Sequence, residues 1–532
     1  MASPARTKTP GAVPETQAPA ILASIVATIG PASETPEVVR RLVESGVGIF
    51  RFNFSHGTFE DHARRLATVR KVAADMNCSV ACLGDLQGPK IRVGKVPAGV
   101  GSPSPSGGGM IEVLTGQDVV FKSGIAEAQL RPGPGGALEA VFPVTYPMLI
   151  AEVEPGHRVL VNDGAVRMLA VERDLSKGEL RCRVTVGGWI SSGKGINLPQ
   201  STISAPAITE RDWECVAWAV QHELDFLALS FVRTPEEVLE LKRRIAEMTP
   251  PGAAPGVSGG AWIPVVSKIE KPQAVDNIER IVDVSDAIMV ARGDLGVEMN
   301  IAQVPVVQKM IVRVCNEYGK PCIVATQMLE TMIENAAPTR AEASDVANAV
   351  FDGADALMLS AETATGKHPA LVVETMARII ACAEQELRDR PMPDTPPTKL
   401  SPTHRGTAAL AHGAWCIARD LDVKIVACWS ENGGTARYLS QNHFNVPILA
   451  YSSNPQATRR MAILRGVTPV CTSPPGSGTI TEWNATVDEY VRSHALAAPG
   501  DAMVLLAGRP LGRAKATNTI AIHRVAELLP RP

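Results

Sequence analysis

The sequence lacks long apolar runs, close cysteine pairs and a strong net charge. No apolar stretch reaches the roughly 18 residues that a membrane-spanning helix needs, and the first 20 residues lack the apolar core of a signal peptide. Those residues are rich in Pro, Ala and Thr, which predicts a disordered tail. The 52 basic and 55 acidic residues leave a net charge of −3, so we expect neither nucleic acid nor a membrane as a partner.

The ten cysteines are dispersed, and none stands in a Cys-x-x-Cys pair. Scattered cysteines within apolar runs are typical of reduced, mostly buried thiols. With 45% hydrophobic and 20% charged residues, the composition is that of a globular protein. At 532 residues the chain exceeds one ordinary core, since domains average about 150 residues. We therefore expect a large, multidomain cytoplasmic protein.

Short β-branched apolar runs alternate with amphipathic helical segments along much of the chain. The apolar runs predict eight strands, near 23–29, 47–53, 80–85, 225–231, 264–269, 286–291, 321–326 and 355–360. The helical patterns that follow them lie at about 36–45, 59–76, 209–222, 235–247, 272–283, 302–318, 339–351 and 369–388. Eight strand-helix repeats predict an α/β fold, a (β/α)8 TIM barrel, with an open doubly wound sheet as the alternative.

The alternation is interrupted once, after the third strand. Short strand-like runs separated by Gly- and Pro-rich turns, such as 101–109 and 132–136, predict an inserted small β-barrel domain over 89–198. Because barrel active sites lie on the face that carries the βα loops, this insert is expected to act as a lid. The predicted domains are the tail 1–20, the barrel 21–88 and 199–388, the lid 89–198, and a C-terminal α/β domain 389–532 that begins with a proline-rich linker.

Charged residues stand where two neighbouring predicted strands end. Lys268 and Glu270 are two residues apart, so on a strand their side chains point to the same side. Asp294 follows the next strand, and two carboxylates at neighbouring strand ends predict a Mg²⁺ site that substrate oxygens and waters complete. A lysine beside such a metal indicates phosphoryl chemistry. A structural Lys-Glu ion pair is the alternative.

Other predicted strand ends bring further polar residues to the same face. They are Arg51, Asn53, Ser55, His56, Asp85, Gln87, Lys90, Arg92, Thr326, Gln327, Ser360 and Glu362. A structural collar of salt bridges does not favour so many basic and hydroxyl groups around two carboxylates. Glycines in the segment 293–296 would also let backbone N–H groups approach an anion.

Six motifs resemble signatures of the pyruvate kinase family, in that family's order. They are Thr28–Ser33, Phe52–Gly57, Ser267–Glu270, Met289–Gly296, Ala325–Glu330 and Pro338–Glu342. The resemblance implies transfer of the phosphoryl group of phosphoenolpyruvate to ADP, which gives ATP and pyruvate in the last step of glycolysis. It implies Mg²⁺ as cofactor, with Mn²⁺ as a substitute, together with allosteric regulation through the C-terminal domain and a homotetramer.

The resemblance also implies roles for individual residues. Glu270 and Asp294 would bind Mg²⁺, and Lys268 would contact the phosphoryl group in transfer. Arg51 would hold the substrate phosphate, while Thr326 is a candidate for the path that protonates the enolate. The implied substrate-binding residues are Arg51, Lys268, Gly293, Asp294 and Thr326. The implied nucleotide contacts are Asn53, His56, Arg92 and Lys194, with a structural hydrogen bond as the alternative for the histidine.

One departure concerns the monovalent cation. The family's site would lie at Asn53, Ser55, Asp85 and Leu86. Many members need K⁺ and carry an acidic residue where this chain has Lys90, with threonine and lysine in place of Leu86 and Gln87. The chain resembles the branch that works without K⁺, because the Lys90 ammonium near Asp85 would supply the charge of the ion. We expect activity without K⁺.

The C-terminal domain contains a segment that resembles the family's effector loop. Its residues are Ser430, Asn432, Gly433, Gly434 and Thr435, which join a predicted strand to a helix start. The loop would bind a phosphorylated or nucleotide effector. The segment 507–512 departs from the pattern associated with fructose 1,6-bisphosphate, so the sequence leaves the effector's identity open. A loop without a ligand is the alternative.

Two other functions fit part of the pattern. A Mg²⁺-dependent pyruvate or phosphoenolpyruvate lyase also pairs Glu and Asp around a metal, but such a barrel has no comparable lid and does not need Lys268. A catalytically silent regulatory homologue would keep the fold. The intact set of Lys268, Glu270, Asp294, Arg51 and Thr326 argues against that second alternative.

Overall fold

The computed structural model describes residues 21–104, 108–133, 138–249, 263–390, 394, 396–476, 478–514 and 516–526. The predicted tail, and parts of the turns at 101–109 and 132–136 and of the proline-rich linker, lie outside these ranges. The described chain forms two compact units. Unit 1 comprises the residues up to Arg51, Glu60–Cys82 and those from Gln327 onward, and unit 2 comprises Phe52–Phe59 and Leu83–Thr326. Within the described residues, no helix has the length and apolar character needed to cross a bilayer.

Eight parallel strands close into a barrel, so the predicted fold is confirmed and the open sheet is excluded. The strands are Ser24–Thr28, Val47–Asn53, Ala81–Asp85, Phe226–Leu229, Val265–Ile269, Ala287–Ala291, Cys322–Ala325 and Ala356–Leu359. Their order around the barrel follows the chain, and the first strand pairs with the eighth in the register Ser24 to Ala356. Nearly all their residues are buried, which is why these strands read as continuous apolar runs.

Helices follow the strands as the periodicity predicts. They are Pro36–Glu44, Phe59–Asp75, Glu210–Gln221, Pro235–Met248, Pro272–Asp276 with Ile278–Val284, Val304–Tyr318, Arg340–Phe351 and Pro369–Arg388. At the start of the first helix, Thr35 Oγ1 accepts a hydrogen bond from the Val38 N–H at 3.4 Å. A hydroxyl cap before proline therefore starts this helix.

The helical region differs from the predicted pattern in two respects. The prediction of one helix over 272–283 is wrong, because Asn277 separates two helices and its side-chain amide donates to the Gln273 carbonyl at 3.1 Å. The sequence pattern also does not predict the short helices Arg292–Glu298 and Ala361–Ala364. Each is too short to repeat an apolar position more than once. Single 3-10 turns occur at Ile301–Gln303, Glu330–Ile333, Pro402–His404 and Met461–Ile463.

Two β-sheets lie between the third barrel strand and the helix Glu210–Gln221. The larger has the strand order Ile196–Asn197, Arg158–Val161, Val166–Asp174, Glu179–Val186, Asp118–Lys122, Leu138–Pro143 and Gln129–Pro132. The smaller has the order Gly188–Ser191, Gly109–Val113 and Ser102–Pro103. Together with the helix Leu149–Glu152 they enclose an apolar core that includes Phe121 and Phe142. We call these two sheets, together with the helix Leu149–Glu152, the insert.

The C-terminal part of unit 1 is an α/β sheet of five strands. Their order is Val467–Cys471, Ile448–Ser452, Ile425–Trp429, Ala502–Gly508 and Thr517–Arg524, and only the last strand is antiparallel to its neighbour. The helices are Arg405–Asp420, Gly434–Ser440, Pro455–Arg460 and Ile480–Ser493. The rings of Tyr451 and Trp483 meet edge to face in the core, with centroids 5.5 Å apart. The predicted C-terminal α/β architecture is thus confirmed.

Candidate active site

Lys268 lies at the centre of a buried polar cluster in unit 2. Its Nζ is 2.9 Å from Glu270 Oε1 and 3.2 Å from Asp85 Oδ1, and it donates to Ser230 Oγ at 2.7 Å. The Lys268 side chain is 11% exposed, and those of Asp85 and Glu270 are each 1% exposed. The spacing of two residues therefore places Lys268 and Glu270 on one side of the strand, as expected.

Ser230 belongs to this cluster although sequence reasoning missed it. Its hydroxyl accepts from Lys268 and donates to the Leu86 carbonyl at 2.6 Å. Its position could have indicated this role, because Ser230 directly follows the fourth barrel strand, Phe226–Leu229, and polar residues also follow the other strands. A hydroxyl both donates and accepts, so Ser230 connects the third, fourth and fifth strand ends.

Glu270 and Asp294 form a donor pair that suits Mg²⁺. Burial raises the pKa of Glu270; the Lys268 charge opposes this shift, and the Asp294 charge adds to it. The two carboxylates are therefore near enough to repel each other, and a divalent cation between them would offset both the repulsion and the burial. No group of three or more His, Cys, Asp or Glu side chains in the described ranges could hold a metal. Two carboxylates with substrate oxygens and waters match the usual Mg²⁺ environment.

Thr326 contacts the loop that carries Asp294. Its Oγ1 accepts from the Gly293 N–H at 2.7 Å, and the Arg292 guanidinium donates to the Thr326 carbonyl at 2.7 Å. Thr326 has a φ of 68°, in the left-handed region that β-branched residues rarely occupy. The structure thus brings together Gly293 and Thr326, two of the substrate-binding residues that the family resemblance implies.

Arg51 is held by hydrogen bonds within unit 1. Its Nη1 donates to Thr28 Oγ1 at 3.0 Å, and the Thr28 hydroxyl donates to the Leu359 carbonyl at 2.9 Å. Thr28 stands in a family-like motif, but sequence reasoning gave it no role. Glu362 is 2% exposed and accepts from the Ser360 N–H at 2.6 Å, so it supports its own loop.

The predicted nucleotide residues lie on three stretches of unit 2: one carries Asn53 and His56, and the others carry Arg92 and Lys194. Asn53 Oδ1 accepts from the Ser55 N–H at 3.2 Å, and the Asn53 carbonyl accepts from the backbone N–H of the exposed His56 at 3.2 Å. The Arg92 guanidinium donates to the carbonyl of residue 193 at 2.8 Å, next to Lys194. The structure therefore brings Arg92 and Lys194 to neighbouring positions at the root of the insert.

Two of the predicted monovalent-cation residues, Asp85 and Leu86, already contact other protein groups. Asp85 faces the Lys268 ammonium, while Leu86 is 1% exposed and its carbonyl accepts from Ser230. Lys90 lies beside residue 195, since a methyl group on Gly195 would be 3.1 Å from Lys90 Cε. The ammonium beside Asp85 is thus that of Lys268.

A cavity of about 450 Å³ lies beside the last strand of the insert, Ile196–Asn197. Its lining includes Lys90, Asn197, Phe231, Arg233 and Lys271. Phe231 connects this cavity to the metal site, because its backbone N–H donates to Glu270 Oε2 at 2.7 Å. The cavity therefore lies next to Glu270, one of the two proposed Mg²⁺ ligands, through Phe231 and Lys271.

The predicted effector loop joins the strand Ile425–Trp429 to the helix Gly434–Ser440 in unit 1. Gly433 has a φ of 79°, which a side chain would disfavour. The Ala436 N–H donates to Ser430 Oγ at 3.2 Å, and Thr435 Oγ1 lies 2.6 Å from Thr517 Oγ1. These contacts order the loop. That the loop binds an effector stays a prediction.

Two family models match the chain over most of its length. The one described as pyruvate kinase, barrel domain, matches residues 21–373, and the one described as pyruvate kinase, alpha/beta domain, matches residues 408–523. The chain belongs to the pyruvate kinase family. It is an enzyme, a kinase of glycolysis that converts phosphoenolpyruvate to pyruvate.

Named pyruvate kinases resemble the chain over most of its length. The pyruvate kinase of Mycobacterium tuberculosis is 40% identical over 509 residues, which are 94% of this chain and 98% of the relative. That of Staphylococcus aureus is 38% identical over 512 residues, 94% of this chain and 80% of the relative. The crystal structure of a pyruvate kinase from Cryptosporidium parvum superposes with a TM-score of 0.80 at 30% identity, covering 95% of this chain and 96% of that one.

Proposed function

We propose that the chain transfers the phosphoryl group of phosphoenolpyruvate to ADP at the cluster around Lys268. The position of the Lys268 ammonium carries this proposal, because it is buried and lies within 3.2 Å of both Asp85 and Glu270. A cation fixed in a water-poor site stabilises the charge on a phosphoryl group in transfer without having to reorganise.

In the proposed reaction, the bond between phosphorus and the enol oxygen breaks, and a β-phosphate oxygen of ADP bonds to the same phosphorus. Arg51, oriented by Thr28, holds the phosphate before transfer, and Lys268 contacts it during transfer. Glu270 and Asp294 would hold Mg²⁺, which supplies Lewis-acid stabilisation of the substrate oxygens. The enolate left behind takes a proton at its methylene carbon to give pyruvate, and Thr326 is the hydroxyl we assign to the path from water.

We assign ADP to Asn53, His56, Arg92 and Lys194. The neighbouring positions of Arg92 and Lys194 support this assignment, because two cations at one edge of the insert suit the phosphates of a nucleotide. A lid that carries phosphate-binding cations also excludes water when it closes. Mn²⁺ would replace Mg²⁺ at the carboxylates, since both accept six oxygen ligands.

We further assign the chain to the branch that needs no K⁺. Lys90 replaces an acidic residue of the K⁺-dependent enzymes, and the buried Leu86 side chain has no oxygen with which to coordinate an ion. Regulation by a phosphorylated or nucleotide effector at the loop 430–435 and assembly as a cytoplasmic homotetramer complete the proposal. The family resemblance supports both.

A lactate dehydrogenase-coupled assay with phosphoenolpyruvate and ADP tests the proposed role of Lys268. Lys268→Met should lower kcat at least about 10²- to 10³-fold, the usual cost of one such contact. Lys71→Met is the matched control, because Lys71 is 75% exposed and pairs with Asp75 on a helix surface. Equal rates of ATP formation in Lys268→Met and the parent would reject the assignment.

A further inference from the structure

Lys271 and Glu298 form a buried ion pair beside the proposed metal ligands. Lys271 Nζ lies 2.6 Å from Glu298 Oε1, with side-chain exposures of 18% and 0%. Lys271 directly follows Glu270 in the chain. Glu298 is four residues after Asp294 in one short helix, so these two side chains lie on the same helix face. This ion pair therefore links the two segments that carry Glu270 and Asp294.

A second hydrogen-bond donor to Glu298 comes from the insert. Asn197 Nδ2 donates to Glu298 Oε1 at 2.8 Å. Asn197 ends the strand Ile196–Asn197, which pairs with the strand Arg158–Val161 in the seven-stranded sheet. A movement of the insert at this strand would therefore alter a hydrogen bond to the same oxygen that holds Lys271.

The carboxylate of Glu298 has few hydrogen-bond donors among the residues that the structure describes. Oε1 accepts both donors, while Oε2 is buried and has no hydrogen-bond partner among the residues that the structure describes. A buried carboxylate with one cation and one amide donor is sensitive to the loss of either, because the cost of removing its charge from water is then left uncompensated. The position of Glu298 therefore depends on both Lys271 and Asn197.

We propose that Glu298 is a positioning residue that fixes the separation of Glu270 and Asp294 for Mg²⁺ and makes it depend on the position of the insert. This inference rests on the metal site of the proposed function. Groups behind metal ligands set the orientation of those ligands, and their replacement typically costs about 10- to 100-fold in metal affinity or activity. Mg²⁺ needs a nearly ideal octahedron, whereas Ca²⁺ accepts irregular coordination, so a misplaced ligand weakens Mg²⁺ binding more.

Direct metal binding tests the proposal without an activity assay. Mn²⁺ bound to the full chain is followed by its electron paramagnetic resonance signal, and Mg²⁺ or Ca²⁺ is titrated to displace it. Glu298→Gln keeps the side-chain size and removes the charge, and it should weaken Mg²⁺ about tenfold or more while weakening Ca²⁺ less. Lys271→Gln should shift the Mg²⁺ to Ca²⁺ ratio in the same direction, and it decides the question if Glu298→Gln does not fold.

The matched control is the ion pair of Lys242 with Asp286, which are 2.8 Å apart with 20% and 12% exposure. Asp286 stands just before the strand Ala287–Ala291, at the end opposite to Asp294. Asp286→Asn should reduce stability and leave the Mg²⁺ to Ca²⁺ ratio unchanged. An unchanged ratio in both Glu298→Gln and Lys271→Gln, or an equal shift in Asp286→Asn, would show that Glu298 does not position the ligands. A parent chain that binds no Mn²⁺ would instead reject the metal site itself, and the inference with it.

Discussion

Thr326 accepts a hydrogen bond from the Gly293 backbone N–H at 2.7 Å while its own backbone is left-handed, with a φ of 68°. This conformation costs a non-glycine residue on the order of 1–3 kcal/mol. The hydrogen bond from Arg292 to the Thr326 carbonyl helps to maintain it. Strain of this kind is concentrated at functional sites, where surrounding contacts fix the strained residue. The strained backbone at Thr326 therefore lowers the stability of the fold, and it places the Thr326 hydroxyl against the Gly293 N–H.

Thr326→Val should lower kcat/KM for phosphoenolpyruvate by about 10- to 100-fold. Valine keeps the β-branched shape but leaves the Gly293 N–H without its acceptor, and an unsatisfied donor costs about 1–3 kcal/mol. Steady-state kinetics measure the effect. Thr326→Ser keeps the hydroxyl and should remain close to the parent, so similar losses in both variants would contradict a role for the hydroxyl.

Lys268→Met should also destabilise the fold when no divalent cation is present. The change leaves the buried carboxylates of Asp85 and Glu270 without the ammonium between them, and breaking a buried pair costs about 3–5 kcal/mol. Added Mg²⁺ should restore part of this loss, because it compensates the same carboxylates. Chemical unfolding with and without Mg²⁺ measures both effects.

Lys242→Met provides the comparison for that experiment, since it removes the cation that forms an ion pair with Asp286. Its loss of stability should not respond to Mg²⁺. If Mg²⁺ restores the two variants equally, the stabilisation does not come from a metal at Glu270 and Asp294.

The parent enzyme should reach full activity in buffer that contains neither K⁺ nor Na⁺ and only a bulky organic cation. Lys90→Glu introduces the acidic residue of the K⁺-dependent enzymes and should make the rate respond to added K⁺. The coupled assay, run over a range of KCl at constant ionic strength, measures both chains. A large stimulation of the parent by K⁺ would show that Lys90 does not replace the ion.

Acid should destabilise unit 1 through His443. Burial, followed by the positive charge of Arg465, lowers the pKa of His443 from 6.5 to about 3. The unfolded chain then binds a proton more readily than the folded one, so this contribution to stability is full above pH 6.5 and falls as the pH drops toward 3.

His443→Asn should flatten that pH dependence, because asparagine does not titrate and tolerates the left-handed φ of 50° at this position. Urea unfolding at neutral and mildly acidic pH gives the free energy of unfolding of each chain. If the parent and His443→Asn lose the same stability between the two conditions, another group is responsible.

The barrel could be predicted because each of its strands is buried on both faces and therefore appears as a short apolar run. Breaks and short helices could not. Asn277 separates two helices within one helical sequence pattern, and Arg292–Glu298 has too few residues for a period to show. In the site, the pair Lys268 and Glu270 was predictable from strand geometry. Ser230 and Thr28 were not assigned, because a lone hydroxyl at a strand end has no distinctive spacing.

The sequence by itself determined the local features. The eight strands appear as short apolar runs because both of their faces are buried, and the polar residues stand directly after these runs. The shared side of Lys268 and Glu270 follows from the twofold period of a strand. Only the tertiary structure decided which charges meet. It placed the ammonium of Lys268 beside Asp85, set Lys90 against Gly195, and joined Lys271, Glu298 and Asn197. Such contacts join residues far apart in the chain. They depend on strand register and on where the insert rejoins the barrel strands, and no local sequence pattern predicts either.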